Sequence, residues 1–163
     1  MTTTTRTATT QVFRVFIRAT PEAVWEAITS PDWTARYGYL CPSHYDLRPG
    51  GAYRALATDE MRQYGMGELA VEGEVLESDP PRRLVQTWKP LFGPEFLSEP
   101  ATRLTWELDA EGELTRLTVI HDVTDAPSTA AVVSGDVAEA GGGWAWVLSS
   151  LKTLLETGEM LGR

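Results

Sequence analysis

Hydrophobic and polar residues alternate over 12–19: Phe13, Val15 and Ile17 share one side, Arg14 and Arg18 the other. A period of two predicts a half-buried strand. Thr20, Pro21 and Glu22 then follow in the order of a helix start, a capping hydroxyl, a first-turn proline and an acid at the positive end of the helix dipole. Val24, Trp25 and Ile28 give that short helix its apolar side. Ser30, Pro31 and Asp32 repeat the signal and predict a second short helix carrying Trp33 and Tyr37.

Pro49-Gly50-Gly51 reads as a turn before a strand over 52–58. The polar stretch 59–65 ends in Gly and suits a hairpin connection. Over 67–77, Leu69, Val71 and Val75 oppose Glu68, Glu72 and Glu74, and Gly73 interrupts the apolar side as a β-bulge would. Asp79-Pro80-Pro81 stops that strand. In the next, over 83–89, Lys89 prefers water, so Leu84, Gln86 and Trp88 face inward. Prolines and Gly93 make 90–101 a loop, although Leu91, Phe92, Phe96 and Leu97 are apolar for exposed chain.

A hairpin follows, turning over 109–113 around Gly112. Leu104, Trp106 and Leu108 lie on its inner side with Leu117, Val119, His121 and Val123. Glu68, Glu72, Glu74, Glu107 and Asp122 take the outward parity. The segment 125–140 reads as loop plus a weak Ala/Val helix, broken by Gly141-Gly142-Gly143. Trp144, Val147, Leu148, Leu151, Leu154 and Leu155 then mark one face of a long helix that stops at Gly158. Consecutive strands joined by short turns predict an α+β fold in which a curved antiparallel sheet wraps around the C-terminal helix.

Five stretches in this order resemble a known family: Thr20-Pro-Glu-Ala-Val-Trp-Glu-Ala-Ile28; Asp46-Leu-Arg-Pro-Gly-Gly51; Gly73-Glu-Val-Leu-Glu-Ser-Asp-Pro-Pro-Arg-Arg-Leu84 with Thr87-Trp88; Thr115-Arg-Leu-Thr-Val-Ile-His121; and Gly143-Trp144 with Leu148 to Gly158. From about residue 12 to 158 the chain resembles the START-like (SRPBCC, Bet v 1-like) superfamily of helix-grip folds. Within it, the residues are similar to the family related to the C-terminal domain of the activator of the heat-shock protein 90 ATPase. The matched stretches are signatures of fold rather than of reaction. The family name would imply a co-chaperone linked to the stress response. Only the activator's C-terminal domain is resembled, and residues before 11 are expected to be a disordered Thr-rich tail rather than its other domain.

Composition narrows the function. With 163 residues, 42% hydrophobic and 23% charged, one domain over 11–163 is expected. A net charge of −9 argues against nucleic acid and anionic membrane surfaces as partners. No apolar run approaches a membrane span, and the first residues lack a secretory signal's apolar segment. Cys41 is the only cysteine, which fits a reducing cytoplasm.

The resemblance implies a space between sheet and helix. It would set Tyr53, Trp88, Trp106 and His121 on the inner sheet face, Trp144 on the helix, and Trp33, Tyr37, Phe92 and Phe96 near the mouth. These residues are the expected binders of a small hydrophobic or aromatic molecule. Equally, each ring can simply fill core. His121 has two readings: a ligand-bonding or acid–base imidazole, as in a polyketide cyclase or aromatase, or a core histidine satisfied by a neighbour. Cys41 and His44 are close in sequence, but a nucleophilic thiol also needs its base oriented. No inward acid–base pair, phosphate loop or metal-ligand spacing is found, so no cofactor or metal is expected and binding is favoured over catalysis. An edge strand, or the apolar stretch around Phe92 and Phe96, offers a surface for a homodimer.

Overall fold

The computed structural model describes residues 9–137 and 141–162. The expected tail thus lies outside them except for its last two residues, and Thr10 already belongs to a strand. Strand β1 (Thr10–Ile17) leads into helix α1 (Pro21–Thr29), where Thr20 Oγ1 accepts from Ala23 N at 3.2 Å. Helix α2 (Pro31–Thr34) carries Trp33 but ends before Tyr37. Strands β2 (Ser43–Tyr45) and β3 (Ala52–Leu56) follow. The connection expected to be a plain hairpin holds helix α3 (Asp59–Gln63), because Thr58 Oγ1 accepts from Met61 N and two acids occupy its first turn.

Strand β4 (Leu69–Asp79) pairs with β5 (Arg83–Pro90). The register slips between Val75 and Glu77, not at Gly73. Gly73 is needed for another reason: a Cβ there would sit 2.0 Å from Thr87 O on the neighbouring strand. The stretch expected to be loop contains helix α4 (Pro94–Leu97), with Phe96 buried against Phe92. Lys89 donates to the carbonyls of Phe96, Leu97 and Glu99, so its amine closes the end of α4 instead of reaching water alone.

Strands β6 (Thr102–Glu111) and β7 (Leu114–Asp122) form the hairpin, with Gly112 at φ 62° in a tighter turn than expected. Helix α5 (Pro127–Ser134) is held from α4's side by Glu99, whose carboxylate accepts from Ser128 N (2.6 Å), Thr129 N (3.0 Å) and Thr129 Oγ1 (2.9 Å). The end of the expected Ala/Val segment, 138–140, lies outside the described residues. Helix α6 (Gly143–Thr157) closes the chain and stops where Gly158 N donates to Leu154 O.

The strands form one antiparallel sheet in the order β1-β7-β6-β5-β4-β3-β2. Its inner face buries Leu84, Leu104, Leu117 and Val119 against Leu148, Leu151 and Leu154 of α6. Burial of each such leucine contributes about 1.5–3 kcal/mol. A second apolar group, Tyr53, Ala55, Ala57, Ala70 and Val71, occupies the β3–β4 end. Three of its five members are alanines, and that end of the sheet is where the packing leaves room. Among the described residues, no helix is long and apolar enough to cross a membrane.

Candidate functional site

The room at the β3–β4 end is a pocket of about 120 Å³, open on one side. The sheet supplies Tyr45, Tyr53, Ala55, Ala70, Val71, Trp88 and Trp106 to its wall. Gly143, Trp144 and Val147 of α6 and Val132 and Val133 of α5 face them. Tyr37, Gly38, Tyr39 and Cys41, with Met61 and Phe92, complete much of the rest. Among the described residues, none that lines the pocket is charged. The segment after α2 is anchored to α6 by three bonds: Gly38 N to Ser150 Oγ (3.0 Å), Trp146 Nε1 to Gly38 O (3.1 Å) and Gly143 N to Tyr39 Oη (2.9 Å).

Polar groups gather at one pole. Gln86 has no exposed surface, and its Oε1 accepts from both Tyr45 Oη (2.7 Å) and Trp106 Nε1 (3.1 Å). Both neighbours are donors toward it, which fixes the amide's orientation. The Tyr53 hydroxyl lies within hydrogen-bonding reach of Ser43, Trp88 and Tyr45, and its ring is tilted against Tyr45 at 4.6 Å between centroids. Burial drives the phenols of Tyr37 and Tyr45 upward and pushes Tyr53 to about 12, so all three stay protonated near neutral pH. Tyr37 Oη donates to Ala27 O at 2.8 Å, which turns it away from the pole.

His121 lies behind the pocket wall and is not part of the lining. Trp144 Nε1 donates to His121 Nδ1 at 3.0 Å. An indole N–H only donates, so Nδ1 is unprotonated and Nε2 carries the hydrogen of the neutral ring. Nε2 therefore donates to Thr102 Oγ1 at 2.7 Å, and Thr102 Oγ1 donates to Trp88 O at 2.8 Å. Burial pushes His121 down to about 4, against an upward pull from neighbouring Asp122. The ring lies edge-on to Trp88 at 5.2 Å between centroids.

Of the nine aromatic and histidine positions singled out in the sequence, Tyr37, Tyr53, Trp88, Phe92, Trp106 and Trp144 line the pocket. Trp33 packs on the main core beneath the Arg36 guanidinium, and Phe96 is buried against Phe92. Tyr45, Tyr39, Met61 and the helix α5 valines line it without having been singled out. Gln86 had an inward parity as its signal; three-residue β2 offered none for Tyr45. Cys41 is on the wall, but His44 is exposed and pairs in register with Arg54. Burial pushes the thiol up to about 11, opposite to what a nucleophile needs. Among the described residues, no three His, Cys, Asp or Glu side chains gather as a metal site.

The model of the family described as "Activator of Hsp90 ATPase homolog 1-like protein" matches residues 18–156. The chain belongs to this family. As a member of the Activator of Hsp90 ATPase homolog 1-like family it has the START-like fold, and solved structures agree. It is similar to CalU16 from Micromonospora echinospora, at 25% identity and a TM-score of 0.63 over 93% of this chain and 78% of that one. It is also similar to DynU16, a protein in the dynemicin biosynthetic locus, at 26% identity and a TM-score of 0.65. That match covers 93% of this chain but 48% of DynU16, so this chain spans about half its length. MLL2253 from Mesorhizobium loti, at 21% identity and a TM-score of 0.69, covers 93% of this chain with all of its own and bears on the fold alone. No curated protein matches.

Proposed function

We propose that this member of the family binds a small, uncharged hydrophobic or aromatic molecule in the pocket between the β3–β4 end of the sheet and α6. The observation that carries this reading is a lining rich in aromatic rings and, among the described residues, free of charge around about 120 Å³. Apolar cavities of about 150 Å³ admit benzene, so one ring is the natural scale. The likeness to a protein of the dynemicin biosynthetic locus favours small-molecule work for residues 11–163 over a role on a chaperone. Acid–base catalysis by His121 is less well supported, because both ring nitrogens are engaged behind the wall.

Ethylbenzene is a suitable probe. Its titration, followed by the indole N–H resonances of Trp88, Trp106 and Trp144, is expected to give saturable shifts at those residues. Ala55→Leu, which extends a side chain into the pocket, is expected to weaken them. Indole resonances unmoved up to the solubility limit of the probe would sink the reading.

A further inference from the structure

The three tryptophans of the pocket wall stand at definite angles to one another. Trp144 meets the Trp106 ring edge-on, at 5.3 Å between centroids and 89° between planes, and the Trp88 ring at 6.3 Å and 47°. The two on the sheet are held there: Trp106 Nε1 donates to Gln86 Oε1 (3.1 Å), and Trp88 O accepts from Thr102 Oγ1 (2.8 Å). Trp144 stands on α6, and its single ring N–H goes to His121 Nδ1 at 3.0 Å. The imidazole is fixed in turn. It has no exposed surface, its Nε2 is bonded to Thr102 Oγ1 at 2.7 Å, and the Trp88 ring stands edge-on to it at 5.2 Å. Bonds running from Trp88 O through Thr102 and His121 to Trp144 thus tie α6 to β5, β6 and β7.

Resting on the reading above, we propose that His121 is a positioning residue for the pocket: through its bond to the Trp144 indole it fixes the angle of that ring in the wall, and so makes the pocket select a flat aromatic ring over a saturated one of the same carbon skeleton. Rings held at these angles offer faces and edges to an occupant, and aromatic rings meet best offset or edge to face. A saturated ring is puckered, carries hydrogens above and below its mean plane and has no π face to offer. The selection depends on the angles being set before the ligand arrives, because a wall free to rotate would repack around either shape. His121 takes this part without touching the occupant, since it lies behind the lining.

Ethylbenzene and ethylcyclohexane test this, with affinities read from NMR titrations of the wild type, His121→Leu and His121→Asn. Transfer out of water alone favours the saturated ring, which has more apolar surface. Wild-type protein is nevertheless expected to bind ethylbenzene the more tightly. His121→Leu removes the acceptor for Trp144 Nε1, and the ethylbenzene-to-ethylcyclohexane affinity ratio should fall about threefold or more. His121→Asn keeps an acceptor near the place of Nδ1, so its ratio should stay within about twofold of the wild type, with the Trp144 indole N–H resonance still downfield. A merely structural role for His121 would weaken both probes alike and leave the ratio unmoved. An unmoved ratio in His121→Leu, an equal fall in His121→Asn, or ethylcyclohexane bound as tightly as ethylbenzene by the wild type overturns the proposal and leaves the apolar pocket standing. Binding of neither probe overturns both. Should His121→Leu fail to fold, Thr102→Val loosens the imidazole from its other nitrogen, and the ratio should fall in the same direction; no fall there overturns the proposal equally.

Discussion

Trp144 Nε1 and His121 Nδ1 meet at 3.0 Å, joining the first turn of α6 to the C-terminal end of β7. The bond uses the lone pair that a proton would otherwise take. Protonation therefore costs both the desolvation of a charge and the loss of a buried indole partner.

The pH dependence follows with a definite sign. The His121 pKa is lowered from 6.5 to about 4, so between those values the unfolded chain holds a proton that the folded chain refuses. Its contribution is complete above pH 6.5 and is lost as pH falls toward 4, reaching about 3 kcal/mol. Urea midpoints measured from pH 7 to 4 should fall for the wild type. His121→Gln should show a shallower fall over that window. Parallel curves for the two proteins would contradict the assignment.

Glu99 is the next test. Its carboxylate supplies three acceptor contacts at the start of α5 while only 9% of the residue is exposed. Glu99→Ala should cost about 2 kcal/mol, and Glu99→Gln less, because the amide oxygen can still accept. Hydrogen exchange at the first amides of α5 should speed up more than exchange in β6 and β7. A uniform change across the protein would argue against a local clamp.

Gly143 tests the junction between α5 and α6. Its φ is +65°, and a Cβ there would lie 2.2 Å from Val133 O. Gly143→Ala should cost at least about 2 kcal/mol. Gly112, at φ +62° with nothing within 4 Å of an added Cβ, is the control, and Gly112→Ala should cost about 1 kcal/mol. Equal thermal shifts for the two variants would mean that the close approach to α5 carries no weight.

Cys41 should be a slow thiol. With its pKa pushed up to about 11 by burial, the thiolate fraction at pH 8 is roughly 200-fold below that of a free cysteine near 8.5. Disulfide-exchange reagents should therefore label it at least that much more slowly in the folded protein than in denaturant. Labelling within tenfold of the denatured rate would instead mean an activated or exposed sulfur.

What the sequence made legible were features written in local pattern. The periodicity of Trp144 to Leu155 marks α6, the alternation of Leu104 to Leu108 and Leu117 to Val123 marks the hairpin, and Thr20-Pro21 marks α1. Strand β2 escaped because three residues have no measurable period. Helix α3 escaped because Asp59 to Gln63 has a charged, polar composition that a loop shares, and only the Thr58 cap distinguished it. The pocket was harder still. Parity placed Gln86 and His121 on the inner face, yet it could not say that Tyr45 and Trp106 would converge on one oxygen, or that Trp144 would claim the imidazole. Such partners are chosen by tertiary packing, and empty space depends on what stands opposite Ala55 and Ala70.

The sheet order also dictates a schedule. Strand β1 finds its partner only in β7, with Thr10 opposite Asp122, and the pocket wall waits for Gly143, Trp144 and Val147 of α6. During synthesis the first strand must remain unpaired until the seventh emerges from the ribosome. Closure over so long a sequence separation is entropically slow. Any molecule held in the pocket therefore arrives only after α6 has been made, and meets a site whose two halves lie far apart in the sequence.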